Sequence, residues 1–279
     1  MHRMKRRGDR AVEELNKAVE VEKEGLRRRQ RNNRIKQVLT ISSPIFMLLI
    51  WEVLSQTAII DPRFFPPPTK IIETLVGMGT SGELFEHVQV SLIRILAGFL
   101  LGVIPAITLG LLMGMYSAIR HFFSPLIMAL MPIPTLALLP LILIIFGIGE
   151  FSKIVTIAAS VFFPVVINTA AGVTNIDKIY ADVAKNYGAN PTDFFLKIAL
   201  PGAMPVMMEG IQMGQAIALL TIVAAEMIGA NSGIGYVIWM NYKAFLIPEM
   251  FVGLILISFF GYLFSLLLRG LQSKLIPWK

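Results

Sequence analysis

Cysteine is missing from all 279 residues. Its absence excludes disulfides, thiolate metal ligands and cysteine nucleophiles together, and it leaves the redox compartment open. Histidine is almost as scarce: His2, His87 and His121 lie far apart and form no H-E-x-x-H pair or other ligand cluster. There is no P-loop G-x4-G-K-[ST], so nucleotide chemistry must be supplied by another chain, and there is no G-x-S-x-G elbow. Charge is thin too. Charged residues make up 15% of the chain and hydrophobic residues 55%, with a mean hydropathy of +0.69. Soluble domains carry about 25% charged residues, so most of this chain does not face water.

The charge that remains is unevenly placed. The net charge is +7; residues 1–36 hold 13 Lys/Arg against 6 Asp/Glu, and the remainder holds 12 of each. The whole excess sits in an N-terminal tail. Residues 1–37 read as a polar helix at the membrane surface, drawn to anionic lipid by Arg27, Arg28, Arg29, Arg31 and Arg34. A contact with a cytoplasmic partner is the alternative. Nucleic acid is set aside, because no aromatic interleaving or nucleic-acid-binding fold accompanies the charge.

Residues 38–279 read as a membrane domain. About 20 apolar residues span a hydrocarbon core as a helix, and six stretches answer to that: Val38–Ile60, Val88–Tyr116, Phe122–Gly147, Ile154–Val173, Pro205–Gly229 and Met250–Leu268. Alternating barrel patterning is absent, so the expectation is an all-α membrane protein with six transmembrane helices. With the tail inside, 20 of the 25 Lys/Arg fall on the inner side, which places both termini in the cytoplasm. Glu52, Arg94 and Glu209 interrupt spans, and Arg94 is expected to snorkel to the interface. Outside, the prolines of DPRFFPPPTKI enforce an extended connection, after which Thr69 or Ser81 starts a short surface helix.

The segment 174–203 is the most informative. Ile176, Ile179, Tyr180, Val183, Ala184 and Tyr187 form one helical stripe. Gly188 ends that helix as a left-handed cap. Asn190 caps a second helix with Pro191 at its first position and Asp193 in its first turn. Phe194, Phe195, Ile198 and Ala199 give the second helix an apolar face, and Pro201 closes it. Neither helix is long enough to stand alone, so each needs a surface to dock on.

The run Asp182-Val183-Ala184, Gly188, Ile198-x-Leu200-Pro201 resembles the EAA loop of ABC-importer permeases, E-A-A-x3-G-x9-I-x-L-P. Aspartate replaces the opening glutamate and valine the first alanine. The likeness continues through PIPTLALLPLILIIFGIGEFSKI, FFPVVINTAAGV, AAEMIGANSGIGYVI and LIPW. Together these are similar to the nitrate/sulfonate/taurine/bicarbonate subfamily over roughly residues 60–279. The resemblance implies the type I importer permease (MetI-like) fold in a bacterial inner membrane. It implies coupling to an ATPase through Asp182, Ala184, Gly188, Ile198, Leu200 and Pro201. It further implies a second permease copy, two cytoplasmic ATPase subunits that bind the ATP, so that this chain holds no cofactor, and an extracytoplasmic solute-binding protein. The chain itself would not be an enzyme.

A path is sought in the spans. Pro125, Pro132, Pro134 and Pro140 mark Met131–Pro140 as a broken stretch, either path-lining or a packing kink. Glu209, Gln212, Ala216, Leu219, Val223 and Glu226 share one face of the fifth span, and Asn168 adds a polar group in the fourth. Each polar residue here has two readings, solute contact or interhelical hydrogen bonding. The pairs Gly98/Gly102, Gly110/Gly114 and Gly210/Gly214 mark close helix packing, and Asn231–Gly235 is an outer turn. Anion-importing relatives often carry arginine where this chain has Met131. Beside a small anion of the nitrate, sulfonate, taurine or bicarbonate type stands a neutral or cationic vitamin precursor. The reading from another class is an ATP-independent channel or ion-coupled transporter.

Overall fold

The computed structural model describes Leu39 and residues 42–278. The expected tail helix over 1–37 lies outside the described residues. Two compact units divide the chain, Met1–Thr69 and Lys70–Lys279.

In the first unit, α1 covers residues 42–56 and stops where Ala58 takes a positive φ of 55°. Glu52, the charge inside the first apolar stretch, has a definite job there. Its carboxylate accepts the Thr69 N–H at 3.0 Å and the Thr69 hydroxyl at 2.7 Å, which caps the helix that follows. That helix, α2 (Pro68–Thr80), therefore begins at proline rather than Thr69, as suits a residue with no N–H to lose.

The second unit begins its long helices with α3 (Glu83–Met115), entered through Gly82 at φ 82° rather than through a Ser81 cap. Then come α4 (Ser117–Leu130), a 3₁₀ turn (Thr135–Leu138), α5 (Leu139–Phe146) and α6 (Glu150–Thr174). The chain continues with α7 (Lys178–Asn186), α8 (Pro191–Phe194), a π-helical turn (Phe195–Ala199) and α9 (Leu200–Gly229), and ends with α10 (Ile234–Lys243) and α11 (Ile247–Leu275). No strand occurs among the described residues.

Helix α6 is the centre of the bundle, with α3 and α9 packed along it. The small residues make that approach possible. A Cβ added at Gly98, Gly102, Gly110 or Gly114 of α3 would lie 2.4–2.6 Å from atoms of α6. One at Gly210 of α9 would lie 2.5 Å from Asn168 Cβ. Between the three helices Ile157, Val161, Val165 and Val166 are fully buried, with Ala106, Met208 and Ile222 around them. The outward faces stay apolar, as lipid requires.

Four described helices are long and apolar enough to cross a membrane: Glu83–Met115, Glu150–Thr174, Pro191–Gly229 and Ile247–Leu275. The pair Ser117–Leu130 and Thr135–Phe146, bent by 82°, makes a fifth if counted as one span. The expected six is thus five among the described residues. The first stretch, 38–60, starts in residues that are not described, and its helix over 42–56 is short. The expected break in the third span is present, because Pro132 and Pro134, either side of Ile133, remove donors that would carry a helix through.

One expected boundary is wrong. Pro201 does not close the second loop helix: Pro191 through Gly229 is continuous, and Pro201 sits in the first turn of α9. The π turn at Phe195–Ala199 re-registers the backbone just ahead of it, and a proline in a first turn has no partner to lose.

Candidate functional site: a two-helix elbow and a buried polar hub

The elbow is built by caps at every end. The Asp177 side chain accepts the Ile179 N–H at 3.0 Å and so starts α7. At the other end Gly188 adopts φ 70°, and the Ala189 N–H reaches back to the Ala184 carbonyl at 2.9 Å. That six-to-one bond is the Schellman closure, and it demands the left-handed residue found there. Asn190 Oδ1 then accepts the Asp193 N–H at 2.8 Å with Pro191 at the first helical position, as the sequence spacing requires. Asp193 also pairs with Lys197 at 2.6 Å on the exposed side.

The two arms are docked differently. Phe194 and Phe195 pack with Ile176, Leu111 and Met115 around buried Val173, Ala199 and Ala203, so the second arm is part of the bundle. The first arm is not. Ala184 is buried, but Ile179, Tyr180, Val183 and Tyr187 are exposed, Tyr187 to 88%. A cavity of about 400 Å³ opens between the arms and the chain's end, lined by Asp177, Tyr180, Lys197, Ile198, Pro201 and Trp278. Of the loop residues singled out in the sequence, Asp182 is exposed on α7, Gly188 is the elbow itself, and Leu200 and Pro201 enter α9.

The path candidates scatter. Met131, Pro132 and Pro134 are exposed at the break, and the 3₁₀ turn that follows touches α6 and α9. Glu209 is exposed near the start of α9. Gln212 donates to Gln272 Oε1 at 2.8 Å, joining α9 to α11. Asn168 donates to the Pro164 carbonyl at 2.8 Å beside Gly210. Leu219 lines an apolar groove of about 530 Å³ between α9 and α11, with Gln215, Leu220, Val223, Leu254 and Ile257.

Glu226 stands apart from the others, in a hub at the opposite end of the bundle from the elbow. It is 1% exposed, and Arg94, also 1% exposed, donates to its Oε1 from Nη1 at 2.7 Å. The Ser91 hydroxyl donates to the same carboxylate at 2.7 Å, and the Gly235 N–H reaches Oε2 at 2.8 Å. Arg94 turns its other edge to Glu150: Nη2 lies 2.6 Å from Oε1, and Nε bonds Oε2. Nη1 also donates to the Ser232 carbonyl at 2.7 Å. Arg94 therefore does not snorkel; two carboxylates hold its guanidinium inside, satisfying a charge that apolar surroundings would otherwise reject. The sequence analysis missed this hub. A Cβ at Gly233 or Gly235 would meet the Glu226 carboxylate at 2.3 Å or the Val223 carbonyl at 2.4 Å, a closeness that no local sequence pattern announces.

Residues 106–279 match the family described as binding-protein-dependent transport system inner membrane component. The chain belongs to this family. It is 33% identical over 245 residues to the taurine transport system permease protein of Escherichia coli (strain K12), covering 86% of this chain and 89% of that one. It is 32% identical to a putative aliphatic sulfonates transport permease protein of Bacillus subtilis (strain 168), over 92% of this chain and 93% of the relative. A nitrate import permease protein of Leptolyngbya laminosa is 33% identical over 72% of each. Among solved structures, an inward-facing methionine ABC transporter chain is 18% identical with a TM-score of 0.61, covering 68% of this chain and 94% of that chain. That likeness shows the fold, the type I importer permease fold. The permease is thus a multi-pass membrane subunit of an ABC importer, and its family works with ATPase and binding-protein partners.

Proposed function

We propose that the permease pairs with a second copy of itself, and that two ATPase subunits dock on the elbow at residues 178–201. ATP is bound and hydrolysed there, not in this chain. The observation that carries the reading is the undocked arm. Helix α7 is capped at both ends yet leaves Ile179, Tyr180, Val183 and Tyr187 exposed, and a nine-residue helix does not pay for its own order in water. A surface from another chain completes it. The second arm continues through the π turn into the 39-residue run Pro191–Gly229, so a push on the elbow passes to a membrane helix without a flexible joint.

The Lys/Arg bias supports an orientation in a bacterial inner membrane with the elbow and both termini on the cytoplasmic side and the hub at the outer end. Between them, the path is assigned to Met131, Pro132, Pro134, Asn168, Glu209, Gln212 and Leu219, which lie on different helices and come to one path only as the assembled permeases enclose it. Glu226 acts from the path's outer end through its hub bonds rather than by touching solute. A binding protein delivers the solute, and alternating access moves it inward.

The solute proposed is a small anion of the nitrate, sulfonate, taurine or bicarbonate type, supported by the named relatives. A neutral or cationic heteroaromatic solute is the second reading. The observation that favours it is chemical: Met131 offers a thioether at the break, and Arg94 is already neutralised by two carboxylates. Proteoliposomes test both levels. The complete complex is expected to accumulate radiolabelled taurine, nitrate or an aliphatic sulfonate only with ATP and binding protein present. Full flux by the permease alone would overturn the importer assignment, and uptake restricted to a neutral heteroaromatic would overturn the anion.

A further inference from the structure

The hub joins two connections that are distant in sequence. One is the α9–α10 turn: Arg94 holds the Ser232 carbonyl, Ser91 Oγ accepts the Ile234 N–H at 2.8 Å, and Glu226 holds the Gly235 N–H. His87 Nδ1 accepts the Gly233 N–H at 3.2 Å, one helical turn further along α3. The other connection is Gly147–Ile148–Gly149, which links the bent α4–α5 pair to α6 and leads straight into Glu150. Gly147 lies at φ 80°, a Cβ at either glycine would meet open space, and Ile148 is 83% exposed, so no side chain of the link is packed in place. It is tied down at its end only, where Ser152 Oγ and Lys153 Nζ donate to the Gly149 carbonyl at 2.8 and 3.2 Å and Glu150 grips Arg94.

The two arms of Arg94 are unequal. The Glu226 side chain is fully enclosed, so parting it from Arg94 strands two charges out of water. The Glu150 side chain is 61% exposed, so letting go strands only the Arg94 side of the pair and costs less than parting Glu226. The geometry points to Arg94 and Glu226 as positioning residues that hold the outer turn permanently, with Glu150 as the releasable arm. The outer end of the bundle parts at Arg94–Glu150, letting the 147–149 link and the bent pair swing while turn 231–235 stays fixed to α3. Lys153, whose side chain is 4% exposed, also pairs with Glu150 at 3.5 Å, so releasing Glu150 leaves Arg94 and Lys153 against Glu226 alone, with the Gly149 carbonyl still holding the ammonium.

This inference rests on the importer reading for its functional consequence, but its structural half is measurable on the permease itself. Hydrogen exchange is read by mass spectrometry on the detergent-solubilised complex, with thermal stability measured alongside. Glu150→Gln should speed exchange several-fold in 147–153 and leave 231–236 at the wild-type rate, with little change in Tm. In proteoliposomes the same variant should raise ATP hydrolysis without binding protein several-fold. Glu226→Gln should speed exchange in 231–236 and raise the KM for loaded binding protein more than it lowers kcat. Where Glu226→Gln does not assemble, Glu226→Asp, which keeps the charge, should restore assembly with part of the exchange defect. Equal loosening of both connections by Glu150→Gln, or wild-type exchange in 147–153, would overturn the division into fixed and releasable arms. An exchange pattern as expected with unchanged basal hydrolysis would retain the fixed and releasable arms but overturn the functional release, and would leave the importer reading intact.

Discussion

Gly188 and Gly235 are both glycines for reasons of fit, yet the reasons are opposite. At Gly188 a Cβ would meet nothing within 4 Å, and only the backbone, at φ 70°, resists a side chain. At Gly235 the φ is unremarkable, but a Cβ would come within 2.4 Å of the Val223 carbonyl and 2.9 Å of Glu226 Cβ. Gly188→Ala should therefore cost about 1 kcal/mol, the left-handed penalty. Gly235→Ala should cost about 1–3 kcal/mol, the range for overpacking against backbone, with loss of the Glu226 hydrogen bond. Denaturant titration of the two variants in the same detergent checks the order, and equal costs would contradict it. The sequence made Gly188 readable, because a capped helix must end somewhere and the stripe from Ile176 to Tyr187 says where. It made Gly235 readable only as a turn. What the turn folds against, a carboxylate nine residues earlier and an arginine on α3, has no local pattern.

Among the elements, the sequence read best where period and caps coincide and worst where tertiary contacts override them. The long apolar helices, the break at 131–134 and the paired glycines between α3, α6 and α9 follow from hydropathy, proline and small residues. Arg94 was misplaced because one arginine near the end of an apolar run looks alike whether it reaches headgroups or carboxylates. Pro201 was misplaced because proline ends most helices but is tolerated in a first turn, and the π turn that puts it there leaves no mark in the periodicity. The element with the clearest consequence is α7. Replacing exposed Tyr187 and Ile179 by serine together should leave the thermal stability of the isolated permease within about 0.5 kcal/mol, as for other surface changes. Co-purification with the ATPase subunits should be lost. Retained complex with the double variant would mean that the ATPase grips elsewhere.

Across the whole molecule, the proposed function divides the labour among chains. No P-loop motif occurs in the sequence, and on that proposal the ATPase subunits supply the energy, so the permease has to receive and convert a push. Its two ends are built for different parts of that task. One end carries a capped elbow with one docked arm and one exposed arm. The opposite end carries a buried guanidinium shared between a buried and an exposed carboxylate. Helices α6 and α9 run between them with backbone-close packing, which on the proposed function would carry a displacement from one end to the other. Coupling through the elbow is the central claim, and the most direct measurement is binding-protein-stimulated ATP hydrolysis by the reconstituted complex carrying Gly188→Val or Gly188→Asn. Asparagine tolerates the left-handed backbone and valine does not. Gly188→Asn should keep most of the stimulation, and Gly188→Val should abolish it while the permease still inserts in the membrane. Stimulation by Gly188→Val equal to that of the unaltered chain would contradict the account.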